Sequence, residues 1–287
     1  MAPAALVTGG GAGIGRAVCL HLAKAGYDLT VVDLSEDWAD ATAGAARSTG
    51  VLAIGVKCDV TNPEELRRAF AAHMREHGRL DVCCNNAGIE EKGDNLMQGG
   101  LSNNWRAVLA VNTSAVVDGT FQAVEIMRSG HQQGHKGGGG VIINIASTGG
   151  LYPMPYAPVY AASKSAVVMF CRSLAGLKKE GIRVAAVCPQ FTDTSLVQRQ
   201  LDQDPSYSKV VSGTQQALLS VDTVAEGVMK LVRGAESGGA VMRVTVARGH
   251  EYCVPVNKGF AAPPTREEKI RLLREDQGGA EAPRAKL

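Results

Sequence analysis

The run Thr8-Gly9-Gly10-Gly11-Ala12-Gly13-Ile14-Gly15 constrains this chain more than any other stretch. It sits directly between an apolar segment, residues 4–7, and an amphipathic one, residues 16–24. The pattern predicts a strand that delivers a glycine-rich turn into a helix N-terminus. Unpaired backbone N–H groups and the positive end of the helix dipole then meet at one point, which suits a phosphate. The glycines have separate tasks: Gly9 allows the tight turn, Gly13 lets the backbone approach a pyrophosphate, and Gly15 lets the helix pack closely on the strand. A glycine-rich run alone also fits a plain flexible loop. The next apolar run, Tyr27-Asp28-Leu29-Thr30-Val31-Val32, ends at Asp33, about 20 residues further on. An acidic side chain there accepts hydrogen bonds from an adenosine ribose and repels a 2′-phosphate, which reads as NAD rather than NADP.

The pattern continues in alternation. Ser35 is a plausible N-cap for a helix running to about residue 48 and ended by Gly50. A strand over 51–58 stops at Asp59-Val60. Thr61-Asn62-Pro63-Glu64-Glu65 opens the next helix, with Pro63 in the first turn and two acids beside the positive dipole end, and Gly78 closes it after His77. A fourth strand, 80–84, leads into Asn85-Asn86-Ala87-Gly88. Residues 89–102 read as a polar surface loop, a helix from about Asn104 passes through Asn112 towards Met127, and 129–140 reads as a mobile low-complexity turn. Val141-Ile142-Ile143-Asn144-Ile145 is a buried strand ending in Ala146-Ser147. Strands alternating with helices predict a parallel sheet covered on both faces, with ligands at the carboxyl ends of the strands. Gly9, Asp33, Asp59 and Asn86 all fall at that edge.

With 287 residues, 45% hydrophobic and 20% charged, the chain can bury the core of one large α/β domain. Its net charge of +2 comes from interspersed residues of both signs, so nucleic acid is not an expected partner. No apolar run approaches the roughly 18 residues of a membrane span. Met1-Ala2-Pro3 enters the first strand at once, leaving no room for a signal peptide, so a soluble intracellular protein is expected. The seven cysteines form no C-x-x-C pair and read as buried small hydrophobes in a reducing compartment. His73 and His77 stand at i, i+4 without a third ligand nearby in sequence, which reads as a solvated helix face; no metal site is expected.

The chemistry is carried by Tyr160-Ala161-Ala162-Ser163-Lys164, which places a phenol and an ammonium one turn apart on a helix face. A phenol is a poor base at neutral pH. An adjacent cation, together with a positive nicotinamide ring, favours the phenolate and brings its pKa towards the working range, so that Tyr160 takes a hydroxyl proton. Ser147, at the end of a strand, is placed to bond the same substrate oxygen, and Asn112 to hold a water next to Lys164. The Tyr/Lys spacing alone also fits a solvated helix face. The ordered set of the glycine run, Asp59-Val60, Asn85-Asn86-Ala87-Gly88, the upstream serine and the Tyr/Lys pair is harder to obtain by chance.

These motifs resemble the short-chain dehydrogenase/reductase family, over residues 4 to about 249. The resemblance implies a single Rossmann-like α/β domain, a doubly wound seven-stranded parallel sheet with helices on both faces, an NAD(P) cofactor, and a catalytic tetrad of Asn112, Ser147, Tyr160 and Lys164. In that family's mechanism Tyr160 is the acid/base, Lys164 lowers its pKa and binds the nicotinamide ribose, Ser147 orients the substrate oxygen, and Asn112 supports the proton relay. Cofactor contacts are expected at Gly9, Gly13, Ile14, Gly15, Asp33, Leu34, Asp59, Val60, Asn86, Tyr160, Lys164, Thr192 and Thr194. Leu80-Asp81-Val82, Asp118-Gly119-Thr120, Val141-Ile142-Ile143-Asn144, Pro158-Val159-Tyr160 and Gly239-Ala240-Val241-Met242-Arg243-Val244 are similar to the NAD-dependent 15-hydroxyprostaglandin dehydrogenase branch, which oxidises secondary alcohols on lipid chains. Two departures stand out. A glutamine that helps hold the substrate oxygen in that branch is Ala157 here, and the family's Pro-Gly after the sixth strand is Pro189-Gln190, which puts a side chain beside the nicotinamide.

Leu151-Tyr152-Pro153-Met154-Pro155-Tyr156 suits a rigid apolar wall for the substrate, and 191–212 a mobile lid; both also fit ordinary surface packing. The domain is expected to span 1–262, followed by a polar tail, 263–287, ending Ala285-Lys286-Leu287, a variant of the Ser-Lys-Leu peroxisomal address. The expected protein is therefore an NAD-dependent dehydrogenase for a medium or large, largely apolar hydroxy or keto compound, in peroxisome or cytoplasm. The family's habit of pairing the helices that begin near Asn112 and Tyr160 implies a homodimer or homotetramer. The rival is a non-catalytic dinucleotide-binding or regulatory protein that kept the fold.

Overall fold

The computed structural model describes residues 1–92, 100, 103–132, 139–195, 197–198, 218–234 and 238–254. The strands are β1 Ala4–Thr8, β2 Asp28–Asp33, β3 Ala53–Lys57, β4 Val82–Asn85, β5 Gly140–Ile145, β6 Ile182–Pro189, β7 Val241–Thr245 and β8 Gly249–Val254. They form one sheet in the order β3-β2-β1-β4-β5-β6-β7-β8. Every pair is parallel except the last, in which β8 runs back antiparallel to β7. Among the described residues there are thus eight strands where seven were expected. The chain reverses after Thr245, whose hydroxyl accepts the Arg248 N–H at 3.2 Å, and an antiparallel partner needs only such a short turn where a parallel one needs a crossover.

Alternate residues of the buried strands feed two cores. Ala5 and Val7 point to one, packed by helices α1 (Gly13–Lys24), α2 (Glu36–Arg47) and, late in the chain, Val221–Arg233. Leu6 points to the other, packed by α3 (Pro63–His77), α5 (Ala115–Gln132) and α6 (Pro158–Ser173). The Ser35 cap read from sequence holds, and Asn62 supplies the cap of α3. Ser35 accepts the Trp38 N–H, and Asn62 accepts those of Glu64 and Glu65 at 3.1 and 3.4 Å. Gly78 ends α3 with φ +69°. Strand order reverses at β1, whose neighbours are β2 and β4, so a crevice opens above the carboxyl ends of those strands.

The helix expected to end near Met127 begins as α4 (Trp105–Leu109), passes through a π-helical turn at Ala110–Ser114 and continues as α5 to Gln132. By length and composition alone Trp105–Gly130 is apolar enough to cross a membrane, a test that a core helix also passes. Val116, Ala123, Val124 and Met127 bury its apolar face against the sheet, which accounts for that composition in a core helix. Most of the expected loop 89–102, the centre of the 129–140 turn, most of the 191–212 lid and the whole tail with Ala285-Lys286-Leu287, including the 262/263 boundary, lie outside the described residues.

Two readings of single side chains are corrected. Cys253, on edge strand β8, is exposed, whereas the other six cysteines are buried as expected. His73 and His77 do not face solvent: both are buried, because α3 turns this face onto β2, where Thr30 lies between them. The proton arrangement that pairs the most atoms runs from His77 Nε2–H to Thr30 Oγ1 (3.2 Å), from Thr30 Oγ1–H to His73 Nδ1 (2.9 Å), and from His73 Nε2–H to the Arg79 carbonyl (2.8 Å). Burial, aided by the neighbouring His77, holds the His73 pKa down to about 4 against 6.5 for a free imidazole. The unfolded chain therefore binds the proton more readily. The stabilisation, on the order of 3 kcal/mol, is full above the unfolded pKa and is lost as pH falls through 6.5 towards 4. Urea unfolding between pH 7 and 4 is expected to show a shallower loss of stability in His73→Gln than in the wild type; equal slopes would place the acid sensitivity elsewhere.

Candidate active site

The site begins where β1 ends. Gly9 takes φ +61°, which turns the chain back across the sheet edge. A Cβ on Gly15 would lie 2.1 Å from the Gly9 carbonyl oxygen and 2.4 Å from Asn86 Nδ2, so at Gly15 the close approach of α1 is to the turn. Asn86 closes this junction. Its Nδ2 donates to the Thr8 and Gly9 carbonyls at 2.9 and 3.0 Å, and its backbone N–H reaches Thr8 Oγ1 at 3.1 Å. Ala12 at the N-cap of α1 brings no capping side chain, so the first-turn amides beside Gly13 and Ile14 are left for an anion.

Asp33 stands at the end of β2, across the crevice from this turn. One carboxylate oxygen accepts the Gly11 N–H at 2.9 Å and the other the Ser35 N–H at 3.0 Å. Each oxygen keeps a lone pair for a ligand hydroxyl. Leu34 and Trp38, both largely exposed, and Asp59 and Val60 complete this end. From here a cavity of about 790 Å³ runs past Gly9, Gly13, Ile14, Gly15 and Asn86 to Ser147, Tyr160, Lys164, Thr192 and Thr194. A glycine-lined turn at a helix N-terminus, a held carboxylate and a continuous cavity of this size fit a dinucleotide with room for a further ligand.

At the other end, Ser147 follows β5 and its Oγ accepts the Gly149 N–H at 3.1 Å while also bonding the Tyr160 hydroxyl. Tyr160 and Lys164 share the cavity face of α6, with Lys164 Nζ 5.8 Å from the phenol ring centre. Lys164 is buried and donates to the Ile145 carbonyl at 2.9 Å. Asn112 does not line the cavity. It is fully buried in the π-helical turn and holds the Ile89 backbone by both ends, Ile89 N–H to Oδ1 and Nδ2–H to Ile89 O, each 2.9 Å. Its amide still lies close to Lys164, because a Cβ on Gly88 would be 3.4 Å from both Asn112 Oδ1 and Lys164 Nζ.

The protein groups around Tyr160 favour its neutral form. In this structure burial, and then the Glu90 carboxylate, push the Tyr160 phenol well above its ordinary pKa, and only the Ser147 hydrogen bond opposes them. Burial also brings Lys164 down to about 8, which weakens it as a cation. Desolvation penalises the charged form of both groups. Sequence reasoning also missed Glu90 and Glu91. Glu90 lines the cavity beside Tyr156 and Tyr160. The signal was an acidic pair directly after Asn85-Asn86-Ala87-Gly88-Ile89 in what read as a plain loop.

Tyr152, Pro153, Met154 and Tyr156 line the substrate end as expected of a wall, while Leu151 packs into the core. The Tyr152 hydroxyl accepts from Arg243 of β7, which also pairs with Glu251 of β8, so the unforeseen eighth strand braces this wall. The Gln190 side chain lies along the cavity but accepts the Val246 N–H at 3.4 Å. Thr192 donates to the Gln190 carbonyl at 2.8 Å, and Thr194 Oγ1 accepts the Val197 N–H at 3.3 Å.

Residues 3–205 match the sequence profile described as short chain dehydrogenase. The chain belongs to the short-chain dehydrogenase family. It is 31% identical over 262 residues to mouse 15-hydroxyprostaglandin dehydrogenase [NAD(+)], covering 86% of this chain and 91% of that protein. Among solved structures it resembles levodione reductase, with a TM-score of 0.77, 28% identity and coverage of 86% of this chain and 97% of the other. The Brucella melitensis 3-ketoacyl-(acyl-carrier-protein) reductase complexed with NADH gives a TM-score of 0.74, 27% identity and coverage of 84% and 96%. As a short-chain dehydrogenase near the hydroxyprostaglandin branch, the protein is an oxidoreductase acting on hydroxy or keto compounds. The rival of a non-catalytic binding protein has no support in these relationships.

Proposed function

We propose that this short-chain dehydrogenase interconverts a secondary alcohol and a ketone on a medium or large, largely apolar compound, with NAD as cofactor. The observation that carries the reading is the gathering of Ser147, Tyr160 and Lys164 at one end of a cavity whose other end is walled by Asp33. Bound along Gly9, Gly13, Ile14 and Asp33, NAD would supply the acceptor for the hydride that leaves the carbinol carbon. Tyr160 Oη takes the hydroxyl proton, Ser147 Oγ donates to the substrate oxygen and orients it, and Lys164 holds the ribose and supports the phenolate. Asn112 keeps the Ile89 backbone beside Lys164. Tyr152, Met154, Tyr156, Phe191 and Val197 supply apolar surface for the body of the substrate. The NAD dependence of the mouse relative and the NADH in the Brucella complex support the same cofactor here.

Tyr160→Phe removes only the ionisable oxygen. Turnover of a secondary alcohol with NAD⁺ is expected to fall about a thousandfold while NADH binding survives. Because the phenol is held above its ordinary range, wild-type oxidation should rise with pH through the alkaline side of neutrality, where ketone reduction, which needs the protonated phenol, should not. Wild-type-like turnover in the variant would move the base elsewhere.

For the cofactor, calorimetry should give NAD(H) at least about tenfold tighter than NADP(H), and Asp33→Ala should narrow that gap. Equal affinities in the wild type would overturn the assignment.

Phe121 and Met169 are exposed on α5 and α6, and the Phe121 and Phe170 rings meet 6.4 Å apart across these helices, which supports association of copies through this face. Light scattering should give at least twice the chain mass of 30.0 kDa at micromolar concentration; the monomer mass would contradict this.

A further inference from the structure

A helix start leaves its first N–H groups without helical partners, and each needs an acceptor if it is removed from water. In α6 the account closes residue by residue. Pro158 has no N–H. Ala161 N–H returns to the Ala157 carbonyl at 3.0 Å. The two between them, Val159 N–H and Tyr160 N–H, both reach Glu91 Oε2, at 2.8 and 3.0 Å. Ala157, at the N-cap, has no side chain able to do this. The cap thus comes from 68 residues away, and one of the amides it holds belongs to Tyr160 itself.

The segment carrying Glu91 is itself tied at both ends. Asn112 grips the Ile89 backbone, as described. Asn104, just before α4, donates from Nδ2 to the Glu90 carbonyl and accepts the Lys92 N–H at Oδ1, each at 2.8 Å. Residues 89–92 therefore form a strap fixed to the Asn104–Asn112 stretch and ending on the first turn of α6. A carboxylate at that point also faces the positive end of a 16-residue helix.

We propose that Glu91 is a positioning residue for Tyr160: through this strap it fixes the height and rotation of the first turn of α6, and with it the phenol oxygen relative to Ser147 and the Asn112–Lys164 pair. Displacing a reacting group by about 1 Å can cost about a hundredfold in rate, so the contact acts on turnover and not on cofactor affinity. The inference rests on the dehydrogenase reading above.

The test compares Glu91→Ala, Glu91→Asp and Glu91→Gln in the full chain, with NAD⁺ and whichever secondary alcohol the wild type oxidises. Glu91→Ala is expected to lower kcat about tenfold or more with the KM for NAD⁺ within about twofold. Glu91→Gln, whose amide oxygen reaches the same two N–H groups, should restore kcat to within about threefold, while Glu91→Asp, one methylene short, should behave like Ala. A kcat within about twofold of wild type in Glu91→Ala overturns the proposal. If that variant does not fold, equal kcat values for Glu91→Gln and Glu91→Asp overturn it. Hydrogen exchange at the Val159 and Tyr160 amides needs no turnover: protection should be lost in Glu91→Asp and kept in Glu91→Gln, and unchanged exchange overturns the proposal. A wild type that oxidises no alcohol yet shows this exchange pattern would fail the dehydrogenase reading while leaving the Glu91 contact established.

Discussion

Two amides in the middle of the sheet set the register on which the rest depends. Asn85 of β4 and Asn144 of β5 stand directly opposite each other, and Asn85 Nδ2 donates to Asn144 Oδ1 at 2.8 Å in a buried setting. Thr120 of α5 bonds both, and Asn144 Nδ2 also meets Cys171 of α6 at 3.2 Å. A slip of one residue would turn these amides to the opposite face and leave them unpaired, at a cost of about 1–3 kcal/mol for each unsatisfied group. Gly119 belongs to the same device, because a Cβ there would lie 2.4 Å from Asn85 Oδ1. Asn86 follows Asn85, and Ser147 follows the end of β5, so the pairing that orders the core also places both ends of the site.

Around that register, distant segments are tied by few, directional bonds. Asn86 clasps the β1 turn, Asn112 holds Ile89, Glu91 caps α6, and Arg243 links Tyr152 to β8. The first, second and fourth act on connections that the sheet and its helices leave free, and Glu91 acts on a helix start. Asn86, Asn112 and Arg243 sit on or beside regular elements whose own packing resists displacement, and Glu91 sits on a strap tied to one, which is how a rigid scaffold transmits its precision to a site built largely from connections.

The ionisable groups show what that burial costs. Water is excluded around Tyr160 and Lys164, so the neutral form of each is favoured: the phenol holds its proton and the ammonium is readier to lose its own. Glu90 adds to the first effect. A nearby negative group makes a second negative charge on the phenol harder to form, whereas the Ser147 hydrogen bond eases it. A fixed positive charge carried by a bound cofactor would act in the opposite sense to Glu90, coupling proton removal to cofactor binding.

The strand, turn and helix sequence through Asn86 was legible because it depends on local chemistry. Gly9 needs its backbone conformation, Ser35 caps its own helix, Pro63 and the acids after it mark the start of another, and alternating apolar residues mark buried strands. The Tyr160/Lys164 pair was legible for the same reason, since one helical turn fixes its geometry. The burial of His73 and His77 was not, because the i, i+4 spacing says they share a face but not what that face meets; β2 supplies Thr30. Nor were β8 bracing Tyr152, Asn112 gripping a backbone instead of lining the cavity, or Glu91 reaching a helix 68 residues away. The sequence by itself determined which residues share a turn, a strand face or a helix face, since bond geometry and periodicity act over a few residues. Only the tertiary structure decided which of those faces meet and whether a charge there is solvated, because both depend on packing between segments far apart in the chain.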